Sequence, residues 1–110
     1  MKYRIYILCP ILTAIKAKMN YSLLDTLCRE KQAKCVYKDE LSTSFIYVVD
    51  ISKDMILDFI KALPKPLSVL YIHYGSHFIY VNCPIYKWKY PCYSKDPLEI
   101  ELYWAATKIE

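Results

Sequence analysis

The chain has 110 residues, of which 55% are hydrophobic and 24% charged, and its formal net charge is +4. This length suits one domain and leaves no room for two. One Gly and twelve Tyr exclude collagen-like and low-complexity chains, and an aromatic content of 15% excludes a disordered one. We therefore expect a single globular domain over residues 1–110.

Basic residues are concentrated in two parts of the chain. Residues 1–38 hold eight basic and two acidic side chains, and residues 66–95 hold three basic and no acidic ones. Such concentration suits a polyanion partner, in particular nucleic acid. The alternative is a solvated, lysine-rich surface, because the sequence pI of about 8.7 lies below the value of about 9 that is usual for nucleic-acid-binding domains.

The five cysteines indicate neither a zinc site nor a secreted disulfide scaffold. No two have the CxxC spacing, no His lies at zinc-finger spacing from them, and their number is odd. Cys9, Cys28 and Cys35 stand among apolar residues and are predicted to be buried. Cys83 and Cys92 flank a loop rich in Pro and Tyr, and they are candidates for a disulfide that clips it.

Lys2 and Arg4 precede an apolar run that loosely imitates a signal peptide. Pro10 interrupts this run and no small-residue cleavage site follows it, so a first β-strand is the better interpretation. No apolar run approaches the twenty or so residues of a membrane helix. We therefore expect a cytoplasmic (intracellular) protein without a membrane partner.

Runs of β-branched and aromatic residues alternate with amphipathic helical patterns. Ser22 and Asp25 form an acidic variant of the capping box, and Asp50 or Ser52 is expected to cap a second helix that Pro64 stops. The predicted elements are, in chain order, strand 3–9, helix 22–31, strand 34–37, strand 44–50, a helix up to residue 63, strand 67–74 and strand 77–83.

Gly75 and Ser76 predict a two-residue hairpin loop of type II′, because Gly tolerates the positive φ angle at its first position. This loop places His73 opposite Phe78. The strands then divide into an aliphatic side, expected to lie under the helices, and an aromatic side. The aliphatic side comprises Ile5, Ile7, Ile46, Val48, Leu70, Ile72, Ile79 and Val81. The aromatic side comprises Arg4, Tyr6, Leu8, Phe45, Tyr47, Val49, Val69, Tyr71, His73, Phe78 and Tyr80.

The last element combines two patterns. Asp96 suits a helix cap and Pro97 the first helical position, whereas Leu98 to Trp104 also alternate as in a strand; we favour the helix. The whole order predicts an α+β fold, namely a ferredoxin-like βαββαβ sheet with an added fifth hairpin strand and a C-terminal helix.

The aromatic side has three interpretations. It is covered by residues 84–110, whose Trp88 and Trp104 favour burial, or it meets a second copy of the chain, or it stacks on nucleic-acid bases. The first follows from the small size of the domain. The second predicts a homodimer, and the third predicts binding of RNA or single-stranded DNA.

Two strand segments resemble the motifs of RNA-recognition-motif domains. Ile5-Tyr6-Ile7 is similar to the shorter motif, and Phe45-Ile46-Tyr47-Val48 is similar to the centre of the longer one. In that family the corresponding aromatic side chains stack on bases. The resemblance, which covers seven residues, implies that Tyr6, Phe45 and Tyr47 bind nucleic acid and that the topology is the one given above.

A second candidate segment interleaves basic and aromatic residues: Lys87, Trp88, Lys89 and Tyr90. Lysines that contact phosphates and rings that contact bases are typical of single-strand binders. The alternative is a structural flap in which Trp88 is buried and the lysines extend to solvent.

The sequence offers no catalytic, metal or cofactor site. His73 and His77 are predicted on opposite faces of the sheet, beyond mutual reach. Asp50, Asp54 and Asp58 recur every four residues, which is typical of a solvated helix flank, and no phosphate-binding or nucleophile motif is present.

The sequence therefore predicts a non-catalytic binding module that binds nucleic acid in a salt-sensitive way, with Arg4, Lys16 and Lys18 adding positive charge. The alternative is a protein-interaction or inhibitor module that dimerises or binds a host protein through the aromatic side. The composition, rich in Ile, Lys and Tyr and poor in Gly, resembles that of small viral proteins and agrees with this alternative.

Overall fold

The computed structural model describes residues 2–10, 24–40, 44–63, 67–83, 88–89 and 91–108. Its strands are β1 (Tyr3–Pro10), β2 (Lys34–Glu40), β3 (Ser44–Ile51), β4 (Ser68–Tyr74), β5 (His77–Cys83) and β6 (Trp88–Lys89). Its helices are α1 (24–30), α2 (Ile56–Lys61) and α3 (Pro97–Lys108). The predicted α+β class and the C-terminal helix are confirmed.

The strands form one antiparallel sheet in the order β2-β3-β1-β4-β5-β6. Five long strands make up the sheet, and the two-residue β6 extends its edge by pairing with the end of β5. Strand β3 lies between β1 and β2, and β1 lies between β3 and β4. Strands β1 and β2, which are joined through α1, therefore have β3 between them. Strands β3 and β4, which are joined through α2, have β1 between them.

One face of the sheet, here called the helix face, packs against all three helices. Ile5 and Ile7 of β1, Val49 of β3 and Ile72 of β4 are fully buried in a single hydrophobic cluster. The helices contribute to the same cluster the side chains of Leu24, Leu27, Cys28, Ile56, Phe59, Ile60, Leu102, Tyr103 and Ala106. Burial of each large aliphatic side chain contributes about 1.5–3 kcal/mol, so this cluster is the main source of stability.

Two β-bulges correct the predicted division of β4 and β5. Tyr6 pairs with Tyr71 but Ile7 pairs with Val69, so Leu70 is the extra residue on β4. A second shift lies between Ile72 and His73, and it brings Tyr80 rather than Ile79 opposite Ile72. A one-residue shift moves the following side chains to the other face. Val69 and Tyr80, predicted on the aromatic side, are therefore fully buried in the core.

The predicted hairpin tip is confirmed. His73 lies opposite Phe78 and Tyr74 opposite His77. Gly75 has a φ angle of 60°, whereas Ser76 is not among the described residues with positive φ. A positive φ at the first loop position alone is the signature of a type II′ turn.

Helices α2 and α3 begin differently. The N–H of Leu98 donates to the carboxylate of Asp96 at 2.8 Å, which confirms the predicted cap of α3. Helix α2 follows Met55 without a side-chain cap. The expectation that the side chain of Asp50 or Ser52 caps this helix is wrong. Asp50 lies within β3 and pairs with β1, and Ser52 contributes its backbone carbonyl, which accepts from the N–H groups of Met55 and Ile56.

Helix α1 ends in a left-handed residue. The N–H of Ala33 donates to the carbonyl of Cys28 at 2.8 Å, and Gln32 has a φ angle of 57°. This arrangement is the Schellman motif, in which Gly usually occupies the left-handed position. The predicted capping residue at the other end, Ser22, lies outside the described residues.

We predict that Gln32→Gly leaves the free energy of unfolding unchanged or raises it by up to about 1 kcal/mol, because it removes the left-handed strain of a residue with a Cβ atom. Urea unfolding followed by circular dichroism measures the change. Glu30→Gly, an exposed position within the same helix, is the control and should cost about 0.5–1 kcal/mol. Equal losses in both variants would contradict the assignment.

Candidate functional site

The face opposite the helices, here called the outer face, carries two rows of residues that cross the sheet in register. The first, the aromatic row, runs across β2, β3, β1, β4 and β5 and consists of Tyr37, Val48, Tyr6, Tyr71 and Val81. The second, the polar row, crosses the same strands and consists of Lys34, Asp50, Arg4, His73 and Phe78. Neighbouring strands lie about 4.8 Å apart, so each row is a continuous strip of surface.

Four neighbouring rings of β1, β4 and β5 form a contiguous cluster. Tyr6 and Tyr71 belong to the aromatic row, and His73 and Phe78 belong to the polar row. Tyr6 contacts Tyr71 edge to face at a centroid distance of 5.5 Å and lies 5.6 Å from His73. Phe78 lies 5.4 Å from His73 and 6.0 Å from Tyr71. Aromatic pairs at such distances stabilise one another.

This ring cluster is accessible to a ligand. Tyr71 is 38% exposed and Phe78 is 56% exposed. Together with Tyr6 and His73 they line a shallow depression of about 280 Å³. Exposed large aromatic side chains that lie together, rather than singly, are typical of binding surfaces.

An ion pair fixes the polar row at its centre. The Arg4 guanidinium donates two hydrogen bonds to the Asp50 carboxylate, from Nε at 2.7 Å and from the terminal nitrogen at 2.9 Å. This pairing lowers the pKa of Asp50 and raises that of Arg4, so both groups stay charged. The charge that the sequence assigned to Arg4 for binding polyanions is thus neutralised by its neighbour.

A second depression, of about 400 Å³, adjoins the first. Its lining comprises Arg4, Tyr6, Val36, Tyr37 and Val48. Tyr6 lines both depressions, so its ring lies between two adjacent hollows of the outer face.

Phe45 and Tyr47 lie on the helix face, which corrects their predicted place beside Tyr6. Tyr47 is directly opposite Ile7, and Phe45 is opposite Cys9. Tyr47 is fully buried, and the partly buried Phe45 packs against the same core. The alternation along β3 is as predicted, but its two faces are reversed: Val48, predicted for the core side, lies opposite Tyr6 on the outer face. Tyr47 therefore has no face on which a base can stack.

The hydroxyl of Tyr47 is satisfied within the core. It donates to Asp25 Oδ1 at 2.6 Å and lies 3.7 Å from the thiol of Cys28. Lys38 approaches the same carboxylate oxygen at 3.4 Å. Burial and the bond to Asp25 raise the pKa of Tyr47, and that bond, with the charge of Lys38, lowers the pKa of Asp25.

We predict that Tyr47→Phe removes a pH dependence at alkaline pH. Because the pKa of Tyr47 is raised on folding, its contribution is complete below pH 10 and is lost as the unfolded chain ionises above it, by up to about 1.4 kcal/mol per pH unit. Urea unfolding of both proteins between pH 8 and 11 measures this. The free energies of unfolding should converge as the pH rises, and parallel curves would contradict the prediction.

At pH 7 the same exchange should cost about 1 kcal/mol, since Asp25 loses a partly buried hydrogen bond. Tyr71→Phe on the outer face is the matched control and should change the free energy of unfolding by less than about 0.5 kcal/mol.

The basic–aromatic segment lies at the edge of the sheet. Trp88 and Lys89 form β6 and pair with Cys83 and Asn82 of β5. Lys87, Tyr90, Lys16 and Lys18 lie outside the described residues, and so do the side chains of Trp88 and Lys89. The part played by this segment stays a prediction.

Trp104 does not cover the outer face. It lies on α3, which packs against the helix face through Leu102, Tyr103 and Ala106, and it is 54% exposed. The interpretation in which Trp104 covers the aromatic side is therefore wrong.

The two histidines lie on opposite faces, as predicted. His73 contacts Tyr6 and Phe78 on the outer face, whereas the imidazole of His77 lies 2.8 Å from the carboxylate of Glu99 on α3. Among the described residues, no three His, Cys, Asp or Glu side chains are grouped so as to hold a metal ion.

Cys92 is a free thiol, which argues against the predicted disulfide between Cys92 and Cys83.

Sequence reasoning placed Tyr71, His73 and Phe78 on the aromatic side but left them out of the binding residues. The hairpin register could have identified them, because it places their rings on one face. The predicted pairing of His73 with Phe78 is confirmed. The family resemblance implied that Phe45 and Tyr47 of β3 lie beside Tyr6, whereas the rings that do so belong to β4 and β5.

No family model, curated protein or solved structure matches this chain. None of the described helices has the length and apolar character needed to cross a membrane.

Proposed function

We propose that the protein binds single-stranded nucleic acid by stacking bases on the outer face of its sheet. The observation that carries this proposal is the cluster of Tyr6, Tyr71, His73 and Phe78, whose rings are partly exposed in one shallow depression. Stacking on aromatic side chains contributes about 1–3 kcal/mol per base and requires bases that are not paired in a duplex.

The charges of the outer face modify the expected salt dependence. Arg4 is paired with Asp50, so the exposed cations that the described residues offer here are Lys34, which belongs to the polar row, and Lys2, two residues before Arg4. A single strand that meets two such cations gives a slope of log K against log salt of about −1.4. The affinity therefore depends more on stacking than on release of counterions.

The finer fold assignment belongs to the same proposal. The split arrangement of β1, β2, β3 and β4 supports a ferredoxin-like sheet, to which β5 adds an edge strand. Of the aromatic residues in the segments that resemble the RNA-recognition motifs, Tyr6 lies on the outer face and is partly exposed. The free thiols of Cys28, Cys35 and Cys92 support a reducing, cytoplasmic compartment.

We predict that Tyr71→Ala and Phe78→Ala each weaken binding of a fluorescein-labelled, mixed-sequence RNA or DNA octamer by about 5- to 150-fold, the loss expected for one stacked base. Fluorescence anisotropy at 50 mM salt measures the affinity. Trp104→Ala is the matched control, because it removes an equally exposed ring from the helix layer.

The control should bind like the unchanged protein. Absence of binding by the unchanged protein at 50 mM salt, or an equal loss in Trp104→Ala, would rule out stacking on the outer face.

A second candidate function is self-association through the same face. It is favoured by the exposure of Phe78 and Tyr37 beside a neutralised Arg4, since interface cores are rich in aromatic residues and poor in free charge. This candidate predicts a dimer in sedimentation equilibrium that Phe78→Glu converts to a monomer. A monomer at about 100 μM would exclude it.

A further inference from the structure

We infer that the Arg4–Asp50 pair reads the edge of a base and favours guanine, rather than binding a phosphate. The inference rests on the proposed function, because it concerns the base that lies beside Tyr6. It assigns to an ion pair in the sheet the task of selecting among nucleic-acid sequences.

The pair is a poor phosphate ligand. Its two hydrogen bonds, at 2.7 and 2.9 Å, join the guanidinium to both oxygens of the carboxylate, so the group as a whole is neutral. A phosphate placed on Arg4 would also lie close to the Asp50 carboxylate and be repelled by it. Phosphate contacts are therefore expected at Lys34 or Lys2, neither of which forms an ion pair within the described part of the chain.

The pair nevertheless remains open to a ligand. The side chain of Arg4 is 40% exposed and that of Asp50 is 22% exposed. A guanidinium has five N–H donors and a carboxylate about four acceptor positions. Two of each are used within the pair, so donors and acceptors remain side by side.

The position of the pair suits the edge of a stacked ring. Arg4 precedes Tyr6 by two residues on β1 and therefore lies on the same face, roughly 7 Å away along the strand. Arg4 and Tyr6 line the depression that Val36, Tyr37 and Val48 complete. A base lying on Tyr6 in this hollow meets one charged side chain, Arg4, among mainly apolar surfaces. A few polar groups in an apolar lining are what give ligand pockets their specificity.

Guanine is the base that best matches an arginine beside a carboxylate. Its O6 accepts a hydrogen bond from arginine, and its exocyclic amino group donates a hydrogen bond that a carboxylate can accept. The ring N–H between these two groups is a second donor toward the carboxylate. Uracil has only one donor on the corresponding edge. Adenine and cytosine have an amino donor where guanine has its O6 acceptor and a ring-nitrogen acceptor where guanine has its ring N–H, so they do not match the pair.

The competing explanation is a purely structural ion pair that fixes β1 against β3. Such a pair affects stability but neither the choice of base nor the salt dependence. The test therefore measures these two quantities, with thermal unfolding to establish that each variant is folded.

The ligands are uracil octamers with one central G, A, C or U, and anisotropy is recorded across a salt series. The unchanged protein should favour the guanine octamer over the all-uracil octamer by about fivefold or more. Asp50→Asn should reduce this preference to below twofold. It should also steepen the salt slope by about 0.7, because Arg4 becomes an unpaired cation.

Two further variants separate the effects. Asp58→Asn removes one negative charge as Asp50→Asn does, but at an exposed position on α2 away from the outer face. It should alter neither the base preference nor the salt slope. Arg4→Lys keeps the pair neutral but lacks the planar fork, so it should lose the preference while the salt slope stays the same.

The outcomes distinguish the two proposals. Octamer binding that is weakened by Tyr71→Ala but shows no base preference overturns the role of the pair and leaves the stacking function standing. A guanine preference that survives in both Asp50→Asn and Arg4→Lys also overturns it. No binding of any octamer overturns the stacking function and this inference with it.

Discussion

Strand β1 is the element on which the rest of the structure depends, because it is hydrogen-bonded on both sides, to β3 and to β4. Its alternation sends Ile5 and Ile7 into the core and Arg4 and Tyr6 to the outer face. Directly opposed residues share a face, so this one strand determines which side chains of β3 and β4 join the core. A change of polarity at Ile5 or Ile7 would therefore disturb the core and the proposed binding surface together.

This constraint explains why the elements and the two faces of β1 were predictable from the sequence, whereas the faces of β3, β4 and β5 were not. Strands β1 and β3, the Gly75 turn and the Asp96 cap follow from local chemistry, which a sequence displays directly. The bulge at Leu70 and the shift beyond Ile72 arise from pairing between distant segments. One extra residue in a strand reverses the side of all that follow, so Val69 and Tyr80 were assigned to the wrong face.

The tyrosines show that residue type alone does not decide function in this chain. Tyr47 is buried because Asp25 accepts its hydroxyl hydrogen, which compensates for its loss of water. Tyr71 has the same side chain but lies opposite Tyr6 on the outer face, where its ring stays partly exposed. With twelve tyrosines in the chain, the candidates for stacking are distinguished by register and by hydroxyl partners rather than by resemblance to a motif.

The neutral Arg4–Asp50 pair connects the architecture of the sheet to its proposed chemistry. It joins the two neighbouring strands β1 and β3 in the middle of the outer face, where an unpaired guanidinium would attract any polyanion regardless of sequence. Pairing removes most of that unspecific attraction and leaves directional donors and acceptors beside the rings. A surface of this kind gives up affinity that depends on charge and retains contacts that depend on the identity of the ligand. The overall charge of +4 is then a poor guide to the proposed binding mode, because the guanidinium beside the exposed rings is neutralised by Asp50.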